Sequence, residues 1–179
     1  MAMTLLADNT ADTTDLASVE FTTGIDSTYK LYIFKFYDVN PATDSVHFQM
    51  EGSTDSGSSY GVTKTTTAFR AIHNEPDSAA SLSYETSNDL AQSTDAQVLA
   101  ESVGNGADEC CAGEIFLFNP ASTTYVKHFL SRSQYYQAGD YSIDFAAAGY
   151  WNTTSAVDAV QFTMSSGNMD AVIKMYGVG

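Results

Sequence analysis

Residues able to do chemistry are present in this chain, but their spacing joins none of them into a recognised site. His47, His73 and His128 could hold a metal or move a proton, yet there is no His-x-His or His-x-x-x-His spacing, and each falls in a different predicted strand. Cys110 and Cys111 are adjacent. A bridge between neighbours would strain the intervening peptide bond, and a redox or metal pair wants two residues between its thiols, so small buried or loop thiols are expected. Gly52-Ser53-Thr54-Asp55-Ser56-Gly57 is the nearest spelling to a serine-hydrolase elbow. It lacks the strand-turn-helix setting and reads as a flexible, exposed loop running to Gly61.

Oxygen ligands for calcium could come from Asp38, Asn40 and Asp44, but they do not form the twelve-residue loop closed by Glu, and turn chemistry accounts for them. Asp12 with Asp15, and Asp108 with Glu109, are acidic pairs of the kind a glycosidase uses. In a chain this rich in acids such pairs arise readily. Asn152-Thr153-Thr154 spells a glycosylation sequon, which has meaning only after secretion. No catalytic residue, metal ligand or cofactor is expected, and the chain reads as non-enzymatic. Recognition is left to the aromatic pairs Tyr135-Tyr136 and Tyr150-Trp151, since Tyr and Trp dominate protein interfaces and sugar-stacking platforms. Alternation along a strand turns one ring of each pair inward.

The elements that must position these residues are strands. Val160, Phe162 and Met164 alternate with Gln161 and Thr163, and after Ser165-Ser166-Gly167-Asn168 a second run continues from Ala171 to Tyr176, so the end of the sequence reads as a hairpin. Tyr29 to Val39 is aromatic and aliphatic on both faces apart from Lys35, the pattern of a central strand covered on each side. Val46 to Glu51, Val62 to His73, Glu114 to Phe118, Thr124 to Leu130 and Tyr141 to Phe145 add further strands. Asp95 to Val103, capped near Ser93 or Thr94 and stopped by Gly104, is a candidate short helix. The expected fold is all-β: a single-domain antiparallel β-sandwich of jelly-roll type over residues 16–179, with at most one short helix. An extended N-terminal arm occupies residues 1–15, carrying Leu5 and Leu6 as candidate contacts.

The 179 residues carry 22 acids against 7 bases, a formal charge of −15, and the bases are scattered singly from Lys30 to Lys174. Such a surface repels nucleic acid, which needs clustered Lys and Arg to displace counterions from phosphate. No apolar run approaches the ~20 residues of a membrane span. Met1 to Ala7 has no positive charge, so synthesis in a cytoplasm without a secretory signal is expected.

Four stretches are distinctive as a set: Phe21-Thr22-Thr23-Gly24-Ile25-Asp26-Ser27-Thr28-Tyr29-Lys30, Phe34-Lys35-Phe36-Tyr37-Asp38-Val39-Asn40-Pro41, Thr123-Thr124-Tyr125-Val126-Lys127-His128-Phe129, and Met164 to Asn168 with Ile173 to Gly177. Together they resemble small virion structural proteins of tailed bacteriophages, especially aquatic ones, from about Phe21 onward. The resemblance implies a particle component and supplies no catalytic residues. It allows two placements. One is a capsid cement or decoration protein on the outer shell, partnered by the major capsid protein and by copies of itself. The other is a tail-tip or fibre-associated module that binds a host-surface glycan. On the first, removal of Met1 to Asp15 is expected to abolish attachment and leave the domain folded. On the second, Trp151→Ala is expected to remove glycan binding.

Overall fold

The computed structural model describes residues 2–179 and contains twelve strands, all paired antiparallel, with no helix among the described residues. In chain order they are β1 (Met3–Asp8), β2 (Val19–Phe21), β3 (Leu31–Pro41), β4 (Val46–Ser53), β5 (Lys64–Asn74), β6 (Ala80–Tyr84), β7 (Gln97–Val103), β8 (Cys111–Phe118), β9 (Lys127–Gln137), β10 (Tyr141–Trp151), β11 (Ala159–Met164) and β12 (Met169–Val178). A large sheet runs β1-β12-β3-β8-β9-β10-β5-β6, and a smaller one runs β7-β4-β11-β2. The tip of β9 also meets β7 where Gln137 pairs Val103, so the two layers join at one corner and the wrap is nearly closed. The single all-β, sandwich-like domain expected from period-two alternation is the fold.

The core is the space between the layers. Phe34 and Phe36 of β3 meet Phe21, Phe48 and Phe162 of the smaller sheet, with ring centroids 5.2–5.6 Å apart in the Phe21–Phe34, Phe34–Phe162 and Phe36–Phe48 pairs. All five rings are buried, and each contributes roughly 1.5–3 kcal/mol by leaving water. Tyr32, on the same face of β3, uses its polar tip as well. Its hydroxyl accepts from the Asp26 N–H at 2.9 Å and donates to the Asp26 carbonyl at 3.0 Å, tying the loop before β3 onto the strand.

Several expectations are corrected. Gln97–Val103 is strand β7, not a helix: Gln97, Val98, Leu99 and Ala100 are all buried, and pairing with β4 outweighs a weak local helical pattern. The capping signal beside it is real but closes a turn, with the Asp95 N–H donating to Ser93 Oγ at 3.0 Å. The stretch from Gly52 is not a loose loop. Gly52 and Ser53 end β4, and Asp55 organises the adjoining turn by accepting from Ser53 Oγ at 2.6 Å, Ser59 Oγ at 2.5 Å and the Ser59 N–H at 2.9 Å. Those hydrogen bonds, Ser53's first, hold the Asp55 carboxyl down at about 2.

The predicted arm is an edge strand of the domain's own sheet. β1 pairs β12, Asn9 donates to the Ala171 carbonyl at 2.8 Å and accepts from the Ile173 N–H at 2.7 Å, and Leu16 bridges Met169. Met1, the first residue of that arm, lies outside the described residues. Removing 1–15 therefore strips a paired strand from β12 and is no clean test of attachment.

Candidate docking face

The sandwich covers only one face of the large sheet, and the other face is where the unusual chemistry of this surface gathers. On β9, Phe129, Ser131, Ser133 and Tyr135 are buried, so His128, Leu130, Arg132, Gln134 and Tyr136 point outward. The register carries each outward residue into a row across the sheet. Leu130 lies between Ala148 of β10 and Phe116 of β8, Phe116 faces Ile33 of β3, Ile33 faces Tyr176 of β12, and Tyr176 faces Leu5 of β1. One step along the strands, Tyr150 faces His128, while Phe118, Leu31, Val178 and Met3 form a second apolar row.

These rows stay half wet. Leu130, Leu5 and Met3 are 50%, 48% and 50% exposed, and Phe116, Phe118, Leu31, Tyr176 and Val178 are partly so. Contiguous apolar surface of this kind marks an interaction site. The second face of β3, expected to be covered, is only partly so: Ile33 is buried at 8% exposure, while Leu31 and Lys35 are half-buried and Tyr37 is exposed.

The next row toward the other end is charged. Arg132 holds Asp144 with Nε–Oδ1 at 2.9 Å and Nη2–Oδ2 at 2.5 Å, Glu114 takes Lys35 at 2.7 Å, and Lys174 stands between Lys35 and Asp8 in the register. Each of these exposed pairs is worth about 0–1 kcal/mol. Their placement matters more than their strength. Of the 7 basic residues, Lys64 and Lys127 are fully buried and Arg70 is clamped between Glu85 at 3.0 Å and Glu101 at 2.5 Å. The remaining four are Lys30, Lys35, Arg132 and Lys174. Three of them stand on this face, and Lys30 sits at its rim just before Leu31. A surface that is acidic elsewhere is close to neutral here, so the cost of bringing another macromolecule near is lowest at this face.

The sequence-predicted contacts divide across the sheet. Leu5 and Tyr150 are on the outer face, Tyr150 with its ring 6.0 Å from His128. Leu6 turns the other way, against the core. Tyr136 is outward and Tyr135 is fully buried, its hydroxyl accepting from the Glu101 N–H at 3.0 Å, and burial pushes that phenol up. Trp151 is also fully buried, in register between Lys127 and Lys64, with Phe129 at 5.5 Å. Tyr135 and Trp151 are thus core residues and not contacts, because alternation turns one ring of each pair inward. Sequence reasoning missed Leu130, Phe116, Phe118 and Tyr176. The signal was there in the two-faced apolar strands, but it does not say which face stays uncovered.

The reactive groups have structural partners. His47 Nδ1 accepts from the Ser102 N–H at 3.0 Å, and His73 pairs with Asp77 at 3.0 Å. Asn40 donates to the carbonyls of Gly106 and Glu109, and Asp44 accepts from Asn105. Burial raises the thiols of Cys110 and Cys111, which keeps them protonated and weak as nucleophiles. A cleft of about 470 Å³ beside the tip of β9 is lined by His73, Glu75, Asp108, Cys110 and Tyr136. Its phenol, Tyr136, is pushed up to about 12 by hydrogen bonding to Glu75, with burial and Asp140 adding to the effect, so it stays neutral at physiological pH. No group of three or more His, Cys, Asp or Glu side chains placed to hold a metal occurs among the described residues. No family model, curated protein or solved structure matches this chain.

Proposed function

We propose that this chain is a non-enzymatic structural protein of a tailed-bacteriophage particle, a capsid cement or decoration protein that docks on the outer shell and braces neighbouring capsomers. The observation that carries this reading is the outer face of the large sheet, where two apolar rows lie beside the row holding most of the exposed cations. The fit is mechanical: a small β-domain with strongly acidic surroundings is repelled by packaged DNA and presents one face at which repulsion is relieved. The resemblance of the four sequence stretches to small phage virion proteins is what suggests the partner, the major capsid protein. The test is binding to purified shells. Leu130→Glu together with Phe116→Glu should cut occupancy at least tenfold while circular dichroism stays that of the parent, since about 1.4 kcal/mol is a factor of ten. Undiminished occupancy of that variant refutes the assignment of the face.

A tail-associated glycan-binding module is the second reading, and one feature favours it. Phe118, His128, Leu130 and Tyr150 line a shallow depression of about 380 Å³ on the same outer face, with an aromatic ring on which a sugar can stack. Trp151, being buried, plays no part in it. A glycan array with hits that Tyr150→Ala abolishes supports this reading, and an array with none rejects it.

A further inference from the structure

We infer that two copies of this chain pair through the free edge of β6, joining their large sheets across a two-fold axis. β6 closes the large sheet at one end, bonded to β5 on one side and to no strand among the described residues on the other. The Glu85 N–H donates to Ala68 and the Asn74 N–H to Ala79, which fixes the alternation: Ala79, Ser81, Ser83 and Glu85 bond toward β5. The N–H and C=O groups of Ala80, Leu82 and Tyr84 consequently point away, toward solvent. An antiparallel partner centred on Leu82 opposes Leu82 to Leu82 and Ala80 to Tyr84, all at hydrogen-bonding positions, which gives about six inter-chain bonds. The edge is self-complementary, as an isologous contact must be.

The side chains agree with the backbone. From Ser78 to Tyr84 there is no charged residue, in a chain with 22 acids. Exposed edge strands are ordinarily guarded by Lys, Pro, an inward charge or a bulge, and β6 has none of these. Instead, Leu82 is 75% exposed and Tyr84 51%, and Phe69 of β5, opposite Tyr84, is 51% exposed. In the paired register Glu85 falls opposite Ala79 and no carboxylate meets another within β6, while Asp89, which accepts from the Tyr84 hydroxyl at 2.7 Å, lies beyond the strand's end. The inference goes beyond the docking proposal and does not depend on it, because β6 lies at the sheet edge farthest from Leu5 and Tyr176.

Sedimentation of the full chain tests it, from about 1 μM to about 1 mM protein and in up to about 1 M salt, where screening falls to ~3 Å and relieves repulsion between two chains of charge −15. The expected result is a concentration-dependent rise from 19.2 kDa to twice that mass, strengthened by salt. Leu82→Pro, which deletes an outward N–H, and Leu82→Lys, which guards the edge, should each weaken the dimer at least tenfold. Leu130→Lys on the outer face should leave it intact. If Leu82→Pro fails to fold, Leu82→Lys carries the result alone. A monomer throughout, a dimer indifferent to Leu82→Lys, or one broken by Leu130→Lys overturns the inference. A monomeric chain that still occupies shells would refute the pairing and leave the docking reading standing.

Discussion

Replacing Trp151 separates a core role from a binding role, because the two make opposite demands on the same side chain. It is the largest fully enclosed side chain, pressed against Gly52, where an added Cβ would sit 2.8 Å from the indole, and beside Phe129. Truncating such a ring to Ala forfeits its transfer free energy and leaves a cavity, together about 3–5 kcal/mol. With a urea dependence of about 2 kcal/mol per molar, the unfolding midpoint should fall by roughly 1.5–2.5 M. Trp151→Phe, which keeps part of the volume, should cost about half as much and guards against outright loss of the fold. Far-UV circular dichroism in urea is the assay, since the chain's single Trp is the residue removed. A midpoint for Trp151→Ala within about 0.5 M of the parent would refute the placement of this ring in the core.

Other contacts set three further outcomes. Gly149→Ala should destabilise by roughly 1–3 kcal/mol in the same assay, since a Cβ there would lie 2.5 Å from the Thr65 carbonyl oxygen and from Thr66 Cγ2. Arg70→Met should cost about 3 kcal/mol by leaving Glu85 and Glu101 without a cation, and adding Glu85→Gln and Glu101→Gln should return a large part of it. The phenols of Tyr60 and Tyr136 are both raised to about 12, Tyr60 by burial first and then Glu20, Tyr136 by Glu75 first. A folded value above the unfolded 10 means the folded state holds the proton longer. The stability these groups supply is complete below pH 10 and is lost as pH rises toward about 12. Thermal midpoints should fall across that window, and the double variant Tyr60→Phe, Tyr136→Phe should flatten the fall.

Period-two alternation made the class of fold legible, because most strands bury one face and show it in their residues: Val46-His47-Phe48-Gln49-Met50 and Val160 to Met164 do so directly. It failed where the signal depends on partners. β7 reads as a run without alternation because Gln97 to Ala100 are all buried, and β6 escaped notice because Ser-Leu-Ser-Tyr at a sheet edge looks like a loop. The site was half legible. Leu5 and Tyr150 could be singled out from residue type, and one ring of each aromatic pair was expected to face inward, but which ring depends on register. Leu130, Phe116 and Tyr176 become neighbours only when strands far apart in sequence align, so no local pattern names them together.

We propose that the outer face of the large sheet docks on a phage shell. Electron cryomicroscopy of particles carrying this protein, at a resolution that places side chains, tests it most directly. The account predicts density for the domain on the shell exterior, with Leu130, Phe116 and Tyr176 against the capsid surface and the β6 edges of two copies side by side. Particles that lack the protein, or that hold it with those three residues turned to solvent, would contradict it.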